Sequence, residues 1–231
     1  MVLNSRQQEI MQILKGKGSV SVSELSKVLY ASEMTIRRDL TDMEKSGFLR
    51  RYRGGAVLKI NLGEMPIKER LLLYKEEKEA LAKRCLPYLK DDISVFIDSS
   101  STCQFLLPHL AEFKNITVVT NSVSSLLTAS ELHLSCVLVG GEYYKQDMCM
   151  VGSIAEEQVK NLNVDIAFLT TAGISNEGVI SDFDLKQTAV RKIILKNASK
   201  KVFLFEKEKI GKKFLYTLCD KNDGVEIITI E

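Results

Sequence analysis

The chain has 231 residues, 45% of them hydrophobic, and a formal net charge of +2, which suits one large or two smaller soluble domains with a sizeable core. The opening run MVLNSRQQEI lacks the apolar stretch of a secretory signal, and no segment approaches the roughly 20 apolar residues that cross a bilayer, so a cytoplasmic protein with no membrane partner is expected. Five cysteines (Cys85, Cys103, Cys136, Cys149, Cys219), odd in number and without a C-x-x-C pair, disfavour disulfides and structural zinc, and two histidines leave little for a His-based triad; neither metal nor cofactor is expected.

In chain order, residues 1–60 carry eleven Lys/Arg against six Asp/Glu, while the remainder carries a surplus of three negative charges. A basic head on a mildly acidic body suits a head that meets a polyanion, although a solvated basic face has the same composition. Ile10, Ile13 and Leu14 at helical spacing, closed by Gly16 and Gly18, predict a first helix from Ser5 to Lys15. Ser21-Val22-Ser23-Glu24 has the form of a capping box opening a second helix, with Val20 and Leu25 placed to staple it. Ser32 is the expected N-cap of a third helix that begins at Glu33.

On that third helix Ile36, Leu40 and Met43 share one face, which turns Met34, Arg38, Thr41 and Lys45 outward and leaves Thr35 and Arg37 on the flanks. An outward Arg in a major groove can pair bidentately with guanine; an ordinary surface pair between Arg38 and Asp42 is the alternative, worth a few tenths of a kcal/mol. The next segment, Phe48 to Leu58, places two β-prone runs around Gly54-Gly55, as in a tight hairpin. Arg50, Arg51 and Arg53 cannot all face a core, so part of this wing is offered to an anion, and beside such a helix the anion is the DNA phosphate backbone.

The run Glu33-Met34-Thr35-Ile36-Arg37-Arg38-Asp39-Leu40, followed by Glu44-Lys45-Ser46-Gly47 and Arg51-Tyr52-Arg53-Gly54-Gly55-Ala56, resembles the DNA-binding region of the DeoR family of bacterial regulators. The resemblance implies a winged helix-turn-helix over residues 1–58, with Thr35, Arg37, Arg38 and Thr41 on the helix and Arg50, Arg51 and Arg53 on the wing as the DNA-binding residues. One short recognition helix reads few base pairs, so a homo-oligomer, dimer or tetramer, on double-stranded operator DNA is expected.

From 59 to 74 the periodicity is broken by Gly63 and Pro66, as in an interdomain linker. Over 75–231 strand-like and helical stretches alternate, which predicts an α/β domain with a mainly parallel sheet. The candidate strands are Ile93–Ile97, Ile116–Val119, Leu134–Val139, Val164–Leu169, Val202–Phe205 and Val225–Ile230. Their carboxyl ends turn polar, at Asp98-Ser99-Ser100-Ser101-Thr102, Thr120-Asn121-Ser122, Gly140-Gly141 and Thr170-Thr171-Ala172-Gly173, where such sheets bind ligands. Each loop taken alone is equally well a helix cap; several converging on one edge make a pocket.

These loops also resemble the family's sensor half, which is similar to the ribose-phosphate isomerase fold and binds phosphorylated sugars that relieve repression. The resemblance implies an effector site of Asp98, Ser99, Ser100, Ser101, Thr102, Thr120, Asn121, Ser122, Gly140 and Gly141. Glu206-Lys207-Glu208-Lys209-Ile210-Gly211 stands where the family has D-x-x-K-x-G, which makes Lys209 the candidate phosphate cation; an exposed Lys in a charged stretch is the alternative. Two departures are plain: the fourth strand exits without the family's acid, and Glu replaces Asp at 206. The expected function is a repressor of a carbohydrate-utilisation operon, controlled by a phosphorylated sugar. The rival is a phosphosugar isomerase carrying a basic head, which needs a base near a carbon-bound proton; with Ala172 in place of an acid, only Asp98 and Glu206 are candidates, and no catalytic residue is assigned.

Overall fold

The computed structural model describes residues 3–46, 48–52, 54–58 and 65–230. They group into two compact units, Met1–Met65 with Glu69–Glu76, and Pro66–Lys68 with Glu77–Glu231.

The first unit holds α1 (Ser5–Lys17), β1 (Ser19–Ser21), α2 (Val22–Val28), α3 (Glu33–Lys45), β2 (Leu49–Tyr52) and β3 (Gly55–Leu58). Its sheet is antiparallel in the order β1-β3-β2, so the predicted hairpin gains a third strand that the sequence did not announce. Ile10, Leu14, Leu25, Ile36, Leu40 and Met43 are fully buried in one cluster, as their spacing required. Each large apolar side chain sunk there contributes about 1.5–3 kcal/mol relative to exposure.

The capping box falls one helix earlier than predicted. Asn4 and Gln7 bond reciprocally at the start of α1, whereas at α2 Ser21 caps the Glu24 amide and the Glu24 carboxylate goes to the Lys17 ammonium, 2.6 Å away. A charged partner outcompetes a backbone amide for that carboxylate. The two wing glycines do different jobs. Gly54 lies in the turn at φ 102°, and Gly55 pairs with Tyr52 inside the ladder, where a Cβ would strike the Val20 carbonyl oxygen.

The segment read as a linker carries structure over its described part. Leu73 and Tyr74 bury into the head's cluster. Ile67, in the short helix α4 (Ile67–Arg70), is also buried, and its amide donates to the Gln146 carbonyl at 2.9 Å. The apolar run Leu71-Leu72-Leu73-Tyr74 had surface to bury, which the charges around it concealed. Positions 59–64 lie outside the described residues.

The second unit takes over within α5 (Lys75–Arg84) and continues through β4 (Ser94–Ile97), α6 (Leu107–Leu110), β5 (Thr117–Thr120), α7 (Val123–Glu131) and β6 (Ser135–Leu138). The hairpin β7 (Glu142–Tyr144) and β8 (Cys149–Val151) follows, then α8 (Gly152–Lys160), β9 (Val164–Leu169), β10 (Gly173–Ile174) and β11 (Val179–Asp182). The chain ends through α9 (Leu185–Asn197), β12 (Ala198–Phe205), β13 (Tyr216–Asp220) and β14 (Glu226–Thr229). All six predicted strands form one sheet in the order β14-β12-β9-β4-β5-β6, parallel throughout.

Both faces of that sheet are covered, as parallel sheets require. Val95, Ile97, Ile166, Phe168, Val202 and Leu204 enter one core cluster, and the alternate residues Phe96, Ala167, Leu169, Phe203 and Phe205 enter the other. The small antiparallel sheet β10-β11-β13 and the β7-β8 hairpin were not foreseen. Their strands span two to five residues, too short for a period-2 pattern to register.

Candidate functional site

In the head, α3 is set by its cap. The Ser32 hydroxyl accepts from the Thr35 amide at 3.2 Å and stands 2.8 Å from the Thr35 hydroxyl, so Thr35 is half-buried and oriented. Arg37 is exposed and pairs with Glu33 at 3.0 Å. Arg38 is exposed, and among the described residues no ion pair or hydrogen bond engages its guanidinium; the alternative pair with Asp42 does not form. Arg38 borders a crevice of about 430 Å³ between α3 and α1, lined also by Asn4, Arg6 and Thr35. At its base Asp39 is buried, accepting from Arg6 Nε at 2.5 Å and Gln7 Nε2 at 3.4 Å. This bond ties the motif's acid to α1. Met34 is 82% exposed beside Arg38, an apolar side chain left to solvent on an otherwise polar face.

The wing closes on α3. Arg51 is half-buried, its amide donating to Glu44 at 2.7 Å and its Nη1 to the Thr41 hydroxyl at 2.5 Å, while that hydroxyl donates to the Arg37 carbonyl at 2.7 Å. Thr41 and Arg51 are therefore committed to joining helix and wing. Arg50 is exposed, with no side-chain partner among the described residues, and Arg53 lies outside them. Among the described residues, Arg38 and Arg50 are the predicted ones left with cationic groups ready for an external anion.

In the second unit, β5 and β6 lie to one side of β4, and β9, β12 and β14 to the other. The carboxyl ends of β4 and β9 thus flank the switch point where α/β sheets bind ligands. The two exits are locked together. The Asp98 amide donates to the Phe168 carbonyl at 3.3 Å, and the Thr170 amide to the Asp98 carboxylate at 3.1 Å.

Around that point the buried polar side chains fall into two clusters. In the first, Arg191 of α9 reaches Asp98 at 3.2 Å, Asp182 at 2.8 Å and the Gln187 side-chain oxygen at 3.0 Å. Burial disfavours the guanidinium's charge, and Asp98 and Asp182 outweigh it, so its pKa rises. Ser99 donates to Gln187 at 3.0 Å, and the Gln187 amide nitrogen donates to Asp147. Ser100 accepts from the Cys103 amide at 3.1 Å.

The second cluster is cationic. Lys78 of α5 donates to the Ser101 hydroxyl at 3.0 Å, and Lys209 donates to Thr170 at 3.1 Å and Thr102 at 3.4 Å. Between them sits Glu206, 2.8 Å from the Lys209 ammonium and accepting from the Thr102 hydroxyl at 2.6 Å. Burial alone would raise its carboxyl; Lys209 and Lys78, with hydrogen bonds from Lys209 and Thr102, hold it down at about 2. All three charged residues are buried.

The other predicted loops behave differently. Thr120 donates to the Ile97 carbonyl at 2.6 Å, Asn121 to the Met150 carbonyl at 3.0 Å, and Ser122 caps α7 by accepting from Ser125 at 3.1 Å. The Gly140 amide donates to Gln158 at 2.8 Å, and Gly141, at φ 150°, has no room for a Cβ beside the Val151 carbonyl. Their polar groups hold the fold. The arrangement thus brings Ser101, Thr102 and Lys209 together with Thr170, Lys78 and Glu206, and gathers Asp98 and Ser99 with Arg191. Lys78 and Arg191 were absent from the predicted site. The thiols give no reactive group: burial pushes Cys85, Cys149 and Cys219 up to about 12.

Comparison with known proteins bears on both surfaces. A family model described as the DeoR-like helix-turn-helix domain matches residues 6–60, and one described as the DeoR C terminal sensor domain matches residues 74–230. The HTH-type transcriptional regulator GolR of Listeria innocua is 32% identical over 211 residues, 89% of this chain and 82% of the relative. The glycerol-3-phosphate regulon repressor of Escherichia coli is 25% identical over 221 residues, 94% and 87% of the two chains. A ribose 5-phosphate isomerase A from Methanocaldococcus jannaschii aligns over 59% of this chain and 54% of its own, at 17% identity and a TM-score of 0.43.

Proposed function

The chain belongs to the DeoR family of DNA-binding transcriptional regulators, and from that premise we propose that its sensor domain receives the phosphate of a phosphorylated sugar at the Lys78–Lys209 cluster and thereby releases the head from operator DNA. It is a regulator and not an enzyme. The proposal divides the chain as the sequence suggests, into a DNA-binding domain over 1–58, a linker over 59–74 and an effector domain over 75–231, in a cytoplasmic homo-oligomer that represses a carbohydrate-utilisation operon.

One observation carries the reading: two buried ammonium groups and three hydroxyls, of Ser101, Thr102 and Thr170, converge beside the switch point of the sheet. A desolvated cation pair with neutral donors is the chemistry that selects a phosphate over the hydroxyls of an unmodified sugar. The relatives' names point the same way, since one is a repressor of a glycerol-3-phosphate regulon. The head supports the other half: among the described residues Arg38 and Arg50 are cations with no internal partner, and Arg38 lies on a capped helix one turn beyond Thr35.

The test is DNA retention with and without ligand. Purified protein should retain a fragment of its own upstream region at low ionic strength, and a screen of phosphorylated sugars should find one that lowers retention and raises the melting temperature. Lys78→Ala and Lys209→Ala should keep DNA binding and lose the response. A response that survives both substitutions, or one given equally by the unphosphorylated sugar, would overturn the assignment.

A further inference from the structure

The cationic cluster already contains an anion. Glu206 follows β12, with an extended backbone (φ −67°, ψ 153°), and enters the turn Lys207–Lys209 that also delivers Lys209. Its side chain is 3% exposed, and its carboxylate lies against the Lys209 ammonium and the Thr102 hydroxyl, the same two groups that a phosphate seated there would use. Lys78 adds a second positive field, while the half-buried Glu77 beside it meets Glu206 and Glu208 as like charges and Lys207 as an opposite one. Counting the buried charges, two ammoniums and one carboxylate leave a single net positive charge, whereas a phosphate monoester carries nearly two negative charges at neutral pH.

We propose that Glu206 is a resident counter-anion that competes with the effector's phosphate for Lys209 and Thr102, so that binding requires the carboxylate to leave its seat and the response threshold is set by this one side chain. The inference rests on the reading of the cluster as the phosphate site. It explains how two buried ammoniums are tolerated side by side: unpaired, they would carry a large desolvation cost, and an internal anion offsets it. The length of the side chain matters too: an aspartate, one carbon shorter, would draw the carboxylate back from Lys209. The longer side chain spans the gap to both partners.

The prediction has an unusual sign, since removing a charged residue from a binding site should improve binding. A like charge held a few ångströms from an incoming anion, at an effective dielectric of about 20, weakens it by at least about tenfold. The experiment is calorimetric titration of the full-length protein with inorganic phosphate and, separately, glycerol 3-phosphate, at ionic strength matched with chloride. Glu206→Gln should bind phosphate at least about tenfold more tightly than the unaltered chain, and Glu206→Asp should tighten it by a smaller factor. If Glu206→Gln fails to fold, as circular dichroism would reveal, the charge-retaining Glu206→Asp decides alone. Equal or weaker phosphate binding by the folded variants overturns the competition. The doubly altered Glu206→Gln/Lys209→Met protein separates this failure from that of the parent reading. Binding that depends on Lys209 but is not tightened at Glu206 removes only the competitor, whereas tight binding that persists without Lys209 removes the site itself.

Discussion

The head and the sensor handle charge in opposite ways. In the head, Arg38 and Arg50 stand at the surface with no ionic partner among the described residues. In the sensor, Arg191 and Lys209 are sunk in protein, where Arg191 meets two carboxylates and Lys209 one. The difference follows from the size of the expected partner. A duplex brings a long array of phosphates to a surface, so cations can wait in water at little cost and are worth something only on contact. A small ligand must be enclosed, so its cations are desolvated beforehand, and a desolvated cation needs a counter-ion while the site is empty.

Truncating one member of each kind sharpens this contrast most. Arg191→Ala should destabilise the sensor by about 3–5 kcal/mol, because Asp98 and Asp182 are left buried and unpaired. Arg38→Ala should change stability by less than about 0.5 kcal/mol. Urea unfolding followed by circular dichroism compares the two directly. Equal losses would erase the distinction between buried and surface charge.

Acid probes the same contrast with a smaller effect. The Glu206 carboxyl is held at about 2 against an ordinary value of 4.5. Its folded-state pKa is therefore depressed, so the stability it confers is fully present above about pH 5 and is lost as pH falls toward 2. The loss is on the order of 3 kcal/mol. Urea midpoints measured between pH 5 and 3 should fall less steeply for Glu206→Gln than for the unaltered chain. Parallel slopes would mean that the carboxylate is not held ionised by its lysines.

Much of this molecule could be read from its residues. The capped third helix emerged because its buried Ile36-Leu40-Met43 face repeats a helical period, and the six strands of the parallel sheet because each lies in an apolar run that ends in a polar loop. The candidate site was legible only in part. Loop hydroxyls at strand ends are visible in sequence, but the sequence does not say which are spent on the fold, as Thr120, Asn121 and Ser122 are. The two missed cations carried a signal of a different kind. Lys78 shares a helix face with the buried Leu81 and Ala82, and Arg191 with Gln187, Ile194 and Leu195. A charged residue on an apolar stripe has to find a buried partner, and that conflict of pattern was the available clue. Lys78 was hidden by its surroundings, since Lys75-Glu76-Glu77-Lys78-Glu79 looks like any solvated helix start.

DNA binding measures the head's side of the comparison. Arg38→Ala should weaken retention of the specific fragment by about 1–3 kcal/mol while leaving binding to unrelated duplex nearly unchanged. Arg50→Ala should weaken both alike and lower the slope of log affinity against log salt by about 0.9, the signature of one lost phosphate contact. Anisotropy titrations from 50 to 200 mM salt distinguish the two. An unchanged slope for Arg50→Ala would move the wing off the phosphate backbone. Sensor substitutions such as Lys209→Ala should leave the slope where it was.

The smallest effects come from caps, where identical chemistry operates in both units. Ser32 caps α3 at an exposed position and Ser122 caps α7 while fully buried. Water can replace the lost hydroxyl at position 32 but not at 122, so Ser32→Ala should cost about 0.5–1 kcal/mol and Ser122→Ala about 2 kcal/mol, the two ends of the measured range for such caps. Ser32 has a second role that Ser122 lacks, because its hydroxyl also meets that of Thr35. Ser32→Ala should therefore lower specific DNA retention by more than its stability cost implies, and Ser32→Asp, which keeps an acceptor for the Thr35 amide but places a negative charge at the groove, should restore stability without restoring retention. Retention that simply tracks stability through both variants would show that Thr35 is not positioned by its cap.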